Sequence, residues 1–104
     1  MTQKDKDIAE AVKAAVQEFD PAAEVVLFGS RARGDARSDS DYDFLVLLGM
    51  SLDFRLKSRI LDRLYDIELD FDCVLGVLIE KSDYWQMLEN TPLFSEISQD
   101  GIAV

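Results

Sequence analysis

Residues 27–46, LFGSRARGDARSDSDYDFLV, place the strictest limits on what this chain can fold into. The stretch opens in a short apolar run, breaks at Gly29 and Ser30, and enters a second apolar run after Asp41 and Asp43. Bulky or β-branched runs that end at a glycine are typical of short buried strands. The stretch therefore predicts two strands that are joined through a tight turn and polar residues.

The turn after the first strand has the composition of a phosphate-binding element. Gly29 has no Cβ and lets a ligand approach the backbone, while Ser30 offers a hydroxyl and an amide to a phosphate oxygen at the start of a helix. Arg31 to Arg33 would form that short helix, and Gly34 would end it. We therefore expect a phosphate to bind at this turn.

The second strand is predicted over Tyr42 to Leu48, with two carboxylates at its start. Side chains alternate along a strand, so Asp41 and Asp43 should point to the same face. Mg²⁺ prefers oxygen ligands and is usually held by one or two carboxylates together with substrate phosphates. Three of the eleven basic residues lie within seven positions and would attract such phosphates: Arg31, Arg33 and Arg37.

Two other phosphate or metal motifs do not fit this stretch. Gly29 and Gly34 have the spacing of a P-loop, but Asp35 follows where the mechanism needs a lysine, and it would repel phosphate. An EF-hand loop read from the aspartates would have Phe44 at the position of its glycine and Met50 at the position of its bidentate glutamate. The stretch therefore predicts neither a P-loop nor an EF-hand calcium loop.

Hydrophobic periodicity predicts further helices and one more strand. A first helix runs from about Asp5 and stops before Pro21, and a longer amphipathic helix runs from the region of Leu56 to about Glu68. A third strand is predicted over Cys73 to Ile79, and short helices begin at two capping positions, Ser82 and Pro92. Helices that alternate with short strands predict an α/β or α+β sandwich.

Length and charge limit the possible functions. A chain of 104 residues is the size of a single domain, 1–104, and its net charge of −10 argues against unaided binding to DNA or RNA. A basic partner is easier to accommodate. Cys73 is the only cysteine and is expected in the core, and neither a signal peptide nor a membrane span is visible. We expect a soluble cytoplasmic protein.

The 27–46 stretch resembles the signature of the nucleotidyltransferase superfamily typified by DNA polymerase beta, and within it the minimal nucleotidyltransferase (MNT) branch. Gly29-Ser30 and Asp41-x-Asp43 match the superfamily signature, and Arg31 to Gly34 matches the Arg-x-Arg-Gly of the minimal branch. Thr91 to Phe94 and Ser98 to Ile102 are more loosely similar to the branch's C-terminal end. The resemblance implies a palm-like core, a small mixed sheet flanked by helices.

The resemblance also implies a reaction. A nucleoside monophosphate would be transferred from a nucleoside triphosphate to an acceptor hydroxyl, and ATP is the expected donor. Mg²⁺ would be held by Asp41 and Asp43. Gly29 and Ser30 would seat the β- and γ-phosphates. Arg31, Arg33 or Arg37 would stabilise the pyrophosphate or contact a partner, and Arg31 is the first choice because it follows Ser30.

Members of the superfamily take a third carboxylate, which acts as general base and metal ligand, from a later strand. Asp72 is the candidate at the entrance of the predicted third strand, and Asp70 shares its face. If the strand is instead aligned from its C-terminal side, Gly76 occupies the carboxylate's position. The sequence leaves both registers open, and with Gly76 the site would bind nucleotide but transfer weakly or not at all.

Two functions follow from the resemblance. The minimal branch often supplies the antitoxin of a HEPN/MNT toxin–antitoxin pair, which implies a protein adenylyltransferase that modifies a helical HEPN-type toxin. The alternative is a catalytically weak or inactive module that neutralises a basic toxin by direct binding, using its acidic surface. Neutralising Asp41 and Asp43 should abolish the first activity and spare the second.

Overall fold

The first helix, α1, spans Gln3–Gln17 in the computed structural model, which describes residues 1–104. Its start is a capping box: the Thr2 hydroxyl accepts a hydrogen bond from the Asp5 amide, and the Asp5 carboxylate accepts one from the Thr2 amide. One face of α1 is buried, as the apolar periodicity predicts: Ile8, Ala9, Val12, Ala15 and Val16.

Four strands form one mixed sheet in the order β3-β2-β1-β4. The strands are β1 (Glu24–Phe28), β2 (Tyr42–Leu48), β3 (Leu75–Lys81) and β4 (Ile102–Ala103). β1 pairs antiparallel with both β2 and β4, whereas β2 and β3 are parallel. The parallel pair requires a crossover, which the longest helix supplies.

The remaining helices are α2 (Ser30–Arg33), α3 (Phe54–Phe71), α4 (Ser82–Gln86) and α5 (Pro92–Asp100). α3 begins where the Asp53 carboxylate accepts a hydrogen bond from the Leu56 amide, and α5 begins where the Thr91 hydroxyl accepts one from the Phe94 amide. No helix is both long and apolar enough to cross a membrane.

Alternation along β2 divides the core between the two faces of the sheet. Four β2 side chains pack in the larger cluster with α1 and α3: Tyr42, Phe44, Val46 and Leu48. Leu45 and Leu47 pack in a second cluster with Trp85 of α4 and Ile97 of α5. Since Asp43 alternates with Tyr42 and Phe44, it belongs to the α4 and α5 face.

The predicted architecture is confirmed: the sheet is small and mixed, helices flank it, and β2 has the expected bounds. Three boundaries were wrong, one of them the end of β3, which lies at Lys81 instead of Ile79. α3 continues to Phe71 instead of ending near Glu68, and β3 begins at Leu75 instead of Cys73. β4 was not predicted, because a two-residue edge strand carries no periodic signal.

Candidate functional site

The carboxylate of Asp43 lies against the turn that follows β1. Phe28, the last residue of β1, pairs with Asp43, so Gly29 lies beside it. Gly29 has φ +75°, and a Cβ built there would approach Asp43 Oδ2 to 2.5 Å. Both the backbone conformation and the nearby carboxylate therefore require glycine at the start of α2.

A second glycine flanks the same carboxylate from the other neighbouring strand. Gly76 of β3 is the register partner of Asp43, and a Cβ at Gly76 would lie 2.8 Å from Asp43 Oδ1. The Asp43 carboxylate thus lies between Gly29 and Gly76. The β3 position that faces Asp43 is therefore a glycine and carries no side chain. This is the arrangement that the Gly76 register describes.

Asp41 and Asp43 form the acidic pair of the site. Burial, and then the charge of Asp41, raise the pKa of Asp43, while Arg33 acts in the opposite direction. Bringing a divalent cation to these two carboxylates would relieve their repulsion, and two carboxylates are a donor set that Mg²⁺ accepts when substrate phosphates complete it. Asp41 and Asp43 therefore fit this metal.

Asp72 is not placed with Asp41 and Asp43. It is the C-cap of α3, with φ 50°, and it lines a cavity together with Lys4 and Tyr42. The chain contains no group of three His, Cys, Asp or Glu side chains arranged to hold a metal ion. The expectation that Asp72 stands at the entrance of a strand is corrected, because α3 continues through Asp70 and makes Asp72 its C-cap. An aspartate tolerates the left-handed conformation of that position.

Arg31 is engaged by protein groups on the Tyr42 side of the sheet. Its guanidinium lies 4.2 Å from the centroid of the Tyr42 ring, and Nη1 is 3.6 Å from Asp5 Oδ1. Nη2 donates hydrogen bonds to the carbonyl oxygens of Ser38 and Ser40, at 3.2 and 2.7 Å. The side chain is 11% exposed. These contacts engage Arg31 within the chain, and its expected role at the phosphates stays a prediction.

Asp5 and Tyr42 complete the cluster around Arg31. The Tyr42 hydroxyl donates a 2.6 Å hydrogen bond to Asp5, and burial followed by this carboxylate raises the pKa of Tyr42 to about 12. Burial acts to raise the pKa of Asp5, but hydrogen bonds from Tyr42 and Thr2, with the charge of Arg31, lower it overall. The cluster ties α1 and α2 to the segment that leads into Asp41.

Arg33 is the arginine on the Asp43 side. It pairs with Asp35 and with Asp100 of α5, each at 3.3 Å, and these two carboxylates raise its pKa. With Gly29, Ile97 and Asp100 it lines an open cavity of about 350 Å³. The cavity borders the turn at Gly29, so an anion bound there would meet Arg33.

The sequence did not indicate two groups at the site. Asp100 and Glu96 of α5 both line the cavity beside Gly29, yet α5 lies far along the chain from the turn. In the sequence both are simply acidic residues near the end of a helix. Acidic residues are common at such positions on protein surfaces, so the local sequence does not mark them as part of a site. Arg37, the third arginine, is exposed and its backbone is paired with Ser40.

Comparison with known proteins identifies the domain family. The sequence model of the nucleotidyltransferase domain family matches residues 8–94, which include both acidic residues and the glycine-serine turn. No curated protein matches the sequence.

Solved structures share the fold. A toxin–antitoxin complex with AMP-PNP superimposes with a TM-score of 0.63 at 17% identity, covering 91% of this chain and 70% of that chain. Two mutant MntA–HpeT toxin–antitoxin complexes give TM-scores of 0.60 and 0.62 at 16% and 18% identity. They cover 98% and 100% of this chain and 72% of theirs.

Proposed function

The chain belongs to the nucleotidyltransferase domain family, and on that premise we propose that it transfers AMP from ATP, with Mg²⁺, to a hydroxyl group of a partner protein. The observation that carries the proposal is the Asp43 carboxylate directly beside Gly29, with the charge of Asp41 acting on it. An acidic pair attracts the metal, and the turn accepts the phosphates that arrive with it. We propose that residues 1–104 act as a single minimal transferase domain of the cytoplasm.

Each residue of the site has a separate task. Asp41 and Asp43 would hold Mg²⁺, which when bound neutralises triphosphate charge and aligns the acceptor oxygen with the α-phosphorus. Gly29 leaves room for the phosphates and Ser30 donates to them at the first turn of α2, whose amides lack helical acceptors. Arg33 would exchange its pairing with Asp100 for the pyrophosphate.

We propose that the acceptor belongs to a toxin of the HEPN type, so that the chain acts as an antitoxin. Two features support this: the shared fold with antitoxin-containing complexes, one of them holding AMP-PNP, and the net charge of −10. An acidic protein binds a basic RNA-cleaving partner more readily than it binds RNA. Steering by charge would bring the two proteins together before chemistry.

A second candidate is a nucleotide-binding antitoxin that transfers weakly or not at all. Gly76 favours it, because the β3 position facing Asp43 offers no carboxylate to take the acceptor proton, and Asp72 lies elsewhere. In that case binding to the toxin would depend on the acidic surface and not on the Asp41 and Asp43 pair.

The test is transfer of label from α-³²P-ATP with Mg²⁺ into a lysate of the source organism. Wild type is compared with Asp41→Asn and Asp43→Asn, and Asp39→Asn is the matched control, since it removes the same charge from an exposed residue of the same segment. A protein band that wild type and Asp39→Asn make, and that the other two variants do not, establishes the transferase.

The same samples separate the alternative. If all four proteins are folded and none labels any band, while wild type binds Mg-ATP and Asp43→Asn does not, the chain is a binding module. Label that enters RNA instead of protein would overturn the proposed acceptor. Label that persists in Asp43→Asn would place the chemistry away from Asp43.

A further inference from the structure

The outer side of α3 carries an apolar stripe that nothing in the chain covers. Phe54, Leu61, Tyr65 and Leu69 are exposed by 85%, 40%, 57% and 64%. Their spacings of seven, four and four residues place them along one side of the helix, away from the buried Ile60, Leu64 and Ile67 that face the sheet. An exposed apolar stripe of this kind indicates an interaction surface.

A line of charges runs beside the stripe and changes sign along the helix. It consists of five exposed residues with spacings of four, three, four and four: Arg55, Arg59, Asp62, Asp66 and Asp70. The first two are basic and the last three acidic. Arg55, Arg59 and Asp70 have no ion-pair partner within the chain. The Arg59 guanidinium lies 5.5 Å from the centroid of the Phe19 ring, and Asp66 is 3.9 Å from Arg63.

This pattern is complementary to itself when two copies of the helix run antiparallel. A two-fold axis at the middle of α3 would place the basic half of each line against the acidic half of the other, and the two apolar stripes against each other. Arg55 and Arg59 would then face Asp66 and Asp70. The same pairing would occur twice in each dimer.

We propose that α3 is a homodimerisation surface, through which a second copy of this chain packs antiparallel across a two-fold axis. The charge distribution favours a second copy despite the net charge of −10, because α3 carries four of the eleven basic residues: Arg55, Lys57, Arg59 and Arg63. A wholly basic partner would be repelled by the first half of the line, and a wholly acidic partner by the second half.

The dimer leaves the candidate site of each copy accessible. α3 packs on the sheet face that holds Tyr42 and Phe44, whereas Asp43 belongs to the face covered by α4 and α5. Each copy would therefore present its Gly29 turn and acidic pair to solvent and to a partner. The proposal does not depend on the transferase activity.

Charge reversal in two complementary variants tests the pairing. Arg55→Glu/Arg59→Glu makes the whole line acidic, and Asp66→Arg/Asp70→Arg makes it basic except at Asp62. Each variant alone should lose self-association, with a dimer dissociation constant raised by at least about tenfold. Mixed in equal amounts, the two variants should form a heterodimer, because each changed half then meets its opposite charge.

Light scattering after gel filtration, at high micromolar protein, gives the mass in each sample. Asp83→Arg/Glu89→Arg carries the same charge change as Asp66→Arg/Asp70→Arg, but in and after α4, and should dimerise as wild type does. A wild-type mass of one chain overturns the proposal, as does a dimer that both reversals leave intact. Failure of the mixture to dimerise, with both variants folded by circular dichroism, would overturn the antiparallel pairing.

Discussion

Arg31 and Arg33 are two positions apart and serve different ends, because α2 turns between them. Two residues along a helix are rotated by about 200°, so neighbours of this kind point to opposite sides. Arg31 therefore reaches Asp5 and Tyr42 on one side of the sheet, and Arg33 reaches the cavity with Asp100 on the other. Proximity in sequence to Ser30 therefore does not determine on which side of the sheet an arginine lies.

Methionine substitutions should separate these two arginines. Arg31→Met leaves the buried Asp5 without its cation and should lower the free energy of unfolding by about 2 kcal/mol or more. Arg33→Met removes an exposed charge and should leave the urea midpoint unchanged while weakening Mg-ATP binding about tenfold. Urea titration and calorimetric titration with Mg-ATP measure the two effects. Equal loss of stability in both variants would contradict this division.

Asp5→Asn should make the protein less stable at pH 7 by about 2 kcal/mol, since the carboxylate accepts from Tyr42 and Thr2 and pairs with Arg31. The pKa of Asp5 in the fold lies below its ordinary 3.8. Its ionised form is thus favoured by folding, and the stabilisation is present above pH 3.8 and is lost as the pH falls through the lower folded value.

The difference between wild type and Asp5→Asn isolates this group from the other carboxylates. Thermal unfolding followed from pH 7 to pH 3 should give a constant difference in Tm down to about pH 4, and then a shrinking one. A difference that grows on acidification would show that Asp5 is stabilised in its protonated form.

At the level of elements, the turn between β1 and α2 places the site. Gly29 and Gly34 bound α2 and both have positive φ, +75° and +83°. They differ in their surroundings, since a Cβ at Gly29 would meet Asp43 and a Cβ at Gly34 would meet nothing within 4 Å. Alanine substitutions at the two glycines therefore separate the cost of backbone strain from the cost of displacing the Asp43 carboxylate.

Gly34→Ala should cost about 1 kcal/mol, the price of a left-handed alanine, and leave Mg²⁺ binding as it is. Gly29→Ala carries the same backbone penalty and must also displace the Asp43 carboxylate, so it should be less stable and bind Mg²⁺ more weakly. Chemical unfolding and titration with Mg²⁺ in the presence of ATP measure both quantities. If the two variants behave alike, Asp43 does not need the space at Gly29.

The local part of this site could be predicted from the sequence, because its residues follow one another through strand, turn, helix and strand. Gly29, Ser30, Asp41 and Asp43 are all positioned by that run. Their roles in metal and nucleotide binding stay predictions. The bounds of β2 could also be predicted from the sequence, because its apolar run starts at Tyr42 and ends before Gly49.

The long-range part could not be predicted. Whether Asp72 or Gly76 stands beside Asp43 depends on where α3 ends, and helix ends shift by a few residues without any change in apolar periodicity. The contacts of Arg31 with Asp5 and of Arg33 with Asp100 join residues that are far apart in the chain. No local pattern carries such pairings.

For the molecule as a whole, the excess of negative charge opposes the compact state. The net charge is −10, whereas the exposed ion pairs that salt would weaken are few, and such pairs contribute about 0–1 kcal/mol each. Screening should therefore stabilise the fold overall. The Debye screening length falls from about 30 Å at 0.01 M salt to about 3 Å at 1 M salt.

We expect the Tm of the monomer, measured at low protein concentration, to rise by a few degrees between low and high NaCl. Chloride is chosen because sulfate or phosphate would also bind the Gly29 turn and strengthen burial by exclusion. A variant that neutralises exposed acids without ion-pair partners should respond less: Glu10→Gln, Asp39→Asn, Asp70→Asn and Glu89→Gln. A Tm that falls with NaCl in both proteins would mean that the ion pairs, including Arg33 with Asp100, outweigh the general repulsion.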